Sequence, residues 1–175
     1  MLINLSEIMS VTGKTLNMEI PLQLEYFKFE GIRYEFAYKD PVKISATSLG
    51  ERRVSIEVST KLALNIPCSR CLENVVTDFD IHVSKEVDFL KTEEERGKEL
   101  DELNYISGYN LDVDILVYDE ILIGFPMKVL CNENCRGICN VCGMNLNKGN
   151  CNCETTGTDP RMSVIRDIFN NFKEV

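Results

Sequence analysis

The sequence predicts an α+β fold: mainly an antiparallel β-meander or partly closed barrel, with two helices and a C-terminal cysteine-rich knuckle segment. Three observations predict it. Apolar residues recur at every second position through the middle of the chain, helical spacing replaces that period after an internal acidic stretch, and six of the eight cysteines lie within residues 131–153. The corresponding division is a β-rich core over residues 1–130 and a cysteine-rich segment with a terminal helix over 131–175.

Ile20, Leu22, Leu24 and Tyr26 alternate in the first third and predict an early strand, although Phe27 and Phe29, flanking Lys28, shift the apolar face there. Val42, Ile44 and Ala46 predict a second strand, which runs into a turn at Leu49, Gly50 and Glu51. The clearest run follows: Val54, Ile56 and Val58, then Leu62, Leu64 and Ile66, with Ser55, Glu57, Ser59, Lys61 and Asn65 on the opposite face. Val75, Phe79, Ile81, Val83, Val87 and Phe89 give a further alternating run. Residues 91–102, KTEEERGKELDE, hold six acidic and three basic side chains and read as a solvated loop. From 112 to 125 the period becomes helical, with Ile115, Tyr118, Leu122 and Phe125 as the expected buried stripe and Leu116 and Ile123 widening it. Asp112 is placed to cap that helix, Asp114 to suit its dipole, and Gly124 and Pro126 to end it. A last helix is expected from Asp159-Pro160 onward, with Val164, Ile165, Ile168, Phe169 and Phe172 along one side.

Apolar residues make up 44% of the chain and charged residues 27%, ordinary values for a globular protein. No apolar run is long enough to cross a bilayer, and the first residues lack the pattern of a signal peptide. The expected location is therefore cytoplasmic, where thiols stay reduced and paired cysteines bind metal more often than each other. A formal charge of −9 argues against a protein that coats nucleic acid through backbone contacts.

The cysteines fall in pairs: Cys68-x2-Cys71, Cys131-x3-Cys135, Cys139-x2-Cys142 and Cys151-x-Cys153. Two short turns, each aiming two sulfurs at one ion, complete the tetrahedral four-thiolate site of structural zinc. The segment CNVCG resembles the first knuckle of a zinc ribbon. Cys139, Cys142, Cys151 and Cys153 are close enough in sequence to close one compact site, which leaves Cys68 and Cys71 to meet Cys131 and Cys135 across space. Cross-pairing of Cys131 and Cys135 with Cys139 and Cys142 stays open, as does a single zinc with spare thiols. Disulfides suit an exported chain rather than this one. Cys135-x3-Cys139-x2-Cys142 has the spacing of a radical-SAM iron–sulfur protein, yet only 33 residues follow Cys142, too few for the large barrel that chemistry needs.

One or two zinc ions are therefore expected, with all eight cysteines as ligands. Full thiolate ligation leaves no position for water and weakens the metal as a Lewis acid, so the metal reads as a staple. No catalytic residue is assigned. His82 sits on the polar side of its strand, and Asp78 and Asp80 share a face as solvated charges. Gly13-Lys14-Thr15 imitates the end of a phosphate loop, but position 8 is Ile where that loop needs Gly.

CSRCL at 68–72 follows an alternating strand, an acidic stretch precedes a helix that ends at Phe125-Pro126, and then come CRGICNVCGMNLN at 135–147, CNC at 151–153 and DPR at 159–161. This order resembles the YceD family, the large ribosomal RNA subunit accumulation proteins. The resemblance implies a cytoplasmic factor of bacterial or organellar type, needed for accumulation of large-subunit ribosomal RNA. Its expected partners are precursor ribosomal RNA, a large-subunit ribosomal protein, or both, and no membrane. Arg70, Arg136 and Lys148 are candidates for phosphate or partner contacts, with ordinary solvated charge as the alternative. The acidic balance favours a protein partner with a basic tail. The rival is an RNA-processing or RNA-modifying metalloenzyme, which needs an open metal position or a convergent set of acids. Neither is visible, so the expectation is a protein that is not an enzyme.

Overall fold

The computed structural model describes residues 1–91, 105–153 and 168. The chain clusters into two compact units, one made of Met1–Ile66 with Asn74–Val129 and the other of Pro67–Glu73 with Leu130–Val175. The strands are β1 (Leu2–Asn4), β2 (Thr15–Ile20), β3 (Tyr26–Phe29), β4 (Ile32–Lys39), β5 (Val42–Gly50), β6 (Arg53–Pro67), β7 (Asn74–Asp88), β8 (Ile106–Ser107) and β9 (Asn110–Asp112); the helix α1 is Val113–Ile123.

Strand β6 organises the main sheet. Val54, Ile56, Val58, Leu62, Leu64 and Ile66 are all buried, as their alternation predicts. Thr60 fills the gap between the two apolar runs, buried with its hydroxyl donating to the Asp40 carbonyl at 3.1 Å. The runs are thus one strand of 15 residues. β6 pairs antiparallel with β5, from Lys43↔Ser59 to Ser48↔Val54, and then with β4, from Lys39↔Leu62 to Phe36↔Leu64. β4 and β5 therefore behave as one long strand interrupted at Asp40-Pro41, where proline has no N–H for the ladder. Asp40 keeps the register there by donating its N–H to the Lys61 carbonyl at 2.8 Å. The order is β2-β5-β6-β4-β3, and β7 also pairs with β6. Two tight turns, Glu30-Gly31 (φ 49° and 84°) and Glu51-Arg52 (φ 48° and 57°), have the left-handed backbone that matches strand twist.

The α+β expectation is corrected: the fold is mainly antiparallel β, and α1 is the one helix defined end to end among the described residues. Part of the extra β structure is a second sheet, β1-β9-β8, whose strands of two or three residues are too short to show a period in sequence. The helix expected from Asp159 onward lies outside the described residues except for Ile168, and the acidic loop at 91–102 does so except for Lys91. The early strand is also displaced. Ile20 and Leu22 are buried and Leu24 packs on the core, but residues 21–25 belong to no strand.

Helix α1 has the expected ends but a different phase. Asp112 accepts from the N–H groups of Asp114 and Ile115, and Gly124 closes the C-terminus. The buried residues are Val113, Leu116, Val117 and Ile121, whereas Ile115 and Leu122 are 39% and 41% exposed. Where apolar residues occur all round a helix, their period no longer selects a face. An aromatic cluster sets it here: Tyr118 and Phe125 approach Phe27 at ring distances of 4.9 and 5.5 Å, and Tyr118 donates to the Lys28 carbonyl.

Candidate metal centre

All eight cysteines belong to the second unit and none is disulfide-bonded. Two segments, CSRCLE at 68–73 and CNVCGM at 139–144, fold through the same hydrogen bonds. The first N–H donates to the sixth carbonyl, Cys68 to Glu73 and Cys139 to Met144, both at 2.8 Å. The fifth N–H returns to the first carbonyl, Leu72 to Cys68 at 3.0 Å and Gly143 to Cys139 at 2.9 Å. The third N–H donates to the first sulfur, Arg70 to Cys68 Sγ at 3.5 Å and Val141 to Cys139 Sγ at 3.4 Å. The fifth residue is left-handed in both, with φ 63° at Leu72 and 73° at Gly143. A chain turned this tightly brings its two cysteines to one side, which is why the two-residue spacer suits a metal ligand pair.

Each knuckle meets a second cysteine pair. Cys68, Cys71, Cys131 and Cys135 form one group and Cys139, Cys142, Cys151 and Cys153 another, and within each group the sulfurs all lie within 4.8 Å of one another. In the first, Cys68 Sγ is 3.8 Å from Cys135 Sγ and Cys71 Sγ is 3.4 Å from Cys131 Sγ. A disulfide holds its sulfurs at about 2.05 Å. Four thiolates at about 2.3 Å from one ion instead stand roughly 3.8 Å apart, along the edges of their tetrahedron. The spacing fits a shared metal ion. The grouping follows reach along the chain and excludes the cross-paired arrangement. It also places Cys135 in one group and Cys139 with Cys142 in the other, so the radical-SAM-like triplet is not assembled.

The electrostatics point the same way. Burial opposes ionisation of Cys68, but the N–H groups of Arg70 and Cys71 prevail and lower its pKa to about 6. The N–H groups of Cys142 and Val141 lower Cys139 to about 6. Hydrogen bonds with Cys71 and Cys135 push Cys131 up to about 12, and a bond with Cys142, aided by burial, does the same to Cys153. Each group thus holds thiols shifted in opposite directions, with Cys135 also lowered and Cys71 also raised in the first. A divalent cation would suit such a cluster, because it would let four crowded thiolates form together.

The three basic residues singled out in the sequence all lie in this unit, and each already has a partner. Arg70 Nη1 donates to the carbonyls of Cys135 at 2.9 Å and Glu133 at 3.3 Å, tying the first knuckle to the 131–135 loop. Arg136 Nη2 donates to Asn150 Oδ1 at 3.0 Å, and Lys148 forms an ion pair with Glu73. Arg70, Arg136 and Lys148 are nonetheless exposed. Asn147 received no role from the sequence and is central to the geometry: Nδ2 donates to Cys135 Sγ at 3.2 Å, and Oδ1 accepts from the Arg136 N–H at 2.8 Å. The asparagines of CGMNLN were the available signal, since short amide side chains favour turns that return to nearby backbone. Gly137 matters as well. Its φ is 78°, and a Cβ there would come within 3.1 Å of the Arg70 carbonyl, so the loop and the knuckle approach closely only with glycine at this point.

Residues 56–169 match the family described as large ribosomal RNA subunit accumulation protein YceD. The chain belongs to the YceD family. The matched span contains both cysteine groups, all of β7 and α1, and most of β6. No curated protein and no solved structure matches the chain. The YceD description ties the family to accumulation of large-subunit ribosomal RNA. Among the described residues, no helix is long and apolar enough to cross a membrane.

Proposed function

We propose that the protein is a noncatalytic factor in large-subunit biogenesis, which supports ribosomal RNA accumulation by binding precursor RNA, a large-subunit ribosomal protein, or both. Two zinc ions, one per cysteine group, act as structural staples. The observation that carries this reading is that each group brings four sulfurs within 4.8 Å of one another, a set that would fill all four positions of a tetrahedral ion and leave none for water or substrate. An all-sulfur tetrahedral donor set favours zinc over hard cations, which take oxygen ligands. His82, the single histidine of the sequence, has a side chain 69% exposed beside Asp80 and is not among the residues of either cysteine group.

On this reading the metal fixes two knuckle turns that have almost no apolar core of their own and thereby holds Arg70, Arg136 and Lys148 in set positions. The net charge of −9 favours a partner that carries basic surface, as proteins of the ribosome do, over extensive contact with bare RNA. Crosslinking in cells, followed by identification of what is recovered with and without nuclease, tests the reading. Recovery of large-subunit precursor RNA or a large-subunit ribosomal protein supports it. Metal-dependent turnover of precursor RNA by the purified protein refutes it.

A further inference from the structure

Helix α1 carries an apolar surface that the described residues of its own unit leave exposed. Val113, Leu116, Val117 and Ile121 are buried, yet Ile115 and Leu122 are 39% and 41% exposed and Ile123 is 72% exposed. Positions four and seven apart share one stripe of a helix, so Asp119 lies between Ile115 and Leu122. Asp119 has no hydrogen-bond or ion partner among the described residues, and burial alone pushes its carboxyl up from the ordinary value. The helix holds Asp114, Asp119 and Glu120 and no basic residue. Apolar residues on two faces ordinarily mean that both are covered, and a carboxylate without a partner inside such a stripe is best matched by a cation.

We propose that the outer face of α1 is a docking site for a basic amphipathic polypeptide segment, whose apolar side chains cover Ile115, Leu122 and Ile123 and whose Lys or Arg pairs with Asp119. A second copy of this helix is a poor occupant, because it would set Asp119 and Glu120 against their own counterparts with no cation in α1 to neutralise them. Phosphate groups would meet the same acidic stripe. The helix has 11 residues and is about 16 Å long, which a partner helix of roughly three turns would match. This inference deepens the protein-binding side of the proposed function and rests on it for the partner's place in the cell, while the docking chemistry is tested without a ribosome.

The probe is a fluorescein-labelled Leu/Lys peptide of about 14 residues, with leucines at helical spacing. Its controls are a scrambled peptide of the same composition and a Leu/Glu peptide, all titrated against the full chain by anisotropy. The Leu/Lys peptide should bind at least about tenfold more tightly than either control. The double variant Leu122→Ser with Ile123→Ser changes exposed positions and should lose about tenfold in affinity, and Asp119→Asn should weaken binding and flatten its salt dependence. Equal binding of the ordered and scrambled peptides overturns the proposal, as does unchanged affinity in the double variant. A wild-type dimer that the double variant dissolves also overturns it, by assigning the face to a second copy. Failure of peptide binding while loss of the protein still depletes large-subunit RNA refutes the docking face alone. Peptide binding by a protein whose loss leaves that RNA unchanged refutes the proposed function alone.

Discussion

Replacing Asn147 by Ala should weaken one cysteine group and leave the other untouched. The Asn147 side chain donates to Cys135 Sγ at 3.2 Å, and that bond is the leading influence holding the Cys135 thiol below its ordinary pKa. A hydrogen bond to a charged acceptor contributes about 1.5–3 kcal/mol. The other bond lost, from the Arg136 N–H to Oδ1 at 2.8 Å, lies among exposed residues where water replaces it at little cost. At about 1.4 kcal/mol per decade, the change is roughly 10- to 100-fold in metal affinity, the range typical of side chains that support a metal ligand. Competition with a graded series of chelators should resolve two phases of zinc release. In Asn147→Ala the phase belonging to Cys68, Cys71, Cys131 and Cys135 should shift to weaker chelators and the other phase should stay put. If neither phase moves, Asn147 does not support the thiolate; if both move together, the two groups are not separate sites.

Cys139→Ser should release one zinc per chain, seen by native mass spectrometry, while the far-ultraviolet signature of the sheet persists, because the buried β6 and β7 residues form their own core. Global unfolding by that substitution would show that the sheet depends on the knuckle. Leu72 has a left-handed backbone that costs an L-residue about 1–2 kcal/mol, against about 0.4–1 kcal/mol of added chain entropy for glycine in the unfolded state. Leu72→Gly should therefore be neutral or slightly stabilising in thermal denaturation of the zinc-loaded protein, and a marked loss would reveal packing by this exposed side chain. Lys61, 3.1 Å from Asp80, is the leading influence holding that carboxyl below its usual value. A depressed folded pKa gives stability that is present above the unfolded value and disappears as pH falls through the folded one. Lys61→Met should raise the Asp80 midpoint in a carboxyl NMR titration and reduce the acid-side loss of stability below about pH 4. Both partners are more than half exposed, so the effect is small; an unmoved midpoint would rule the pairing out.

The long strands were legible because period two survives wherever one face is buried, and Thr60 shows how a satisfied hydroxyl can continue a run that its residue type interrupts. Helix α1 was legible in its ends, through Asp112 and Gly124, but not in its phase. Eight of its residues are apolar, and tertiary contacts such as that of Tyr118 with Phe27, made across some ninety positions of sequence, choose the face. The second sheet escaped because its strands are too short for alternation to register. At the candidate metal centre, spacing along the chain favoured the two cysteine groups but left their cross-pairing open, which the positions of the sulfurs decide. The supporting bonds of Asn147 and the close approach at Gly137 depend on two loops meeting in space, a relation that spacing along one chain does not encode.

X-ray absorption at the zinc edge of the purified, zinc-loaded protein reads both coordination spheres at once. Two ions per chain are expected, each with four sulfur neighbours at about 2.3 Å and no nitrogen or oxygen. An oxygen neighbour on either ion, or iron with labile sulfide in place of zinc, would contradict a closed structural staple and reopen the case for chemistry at this site.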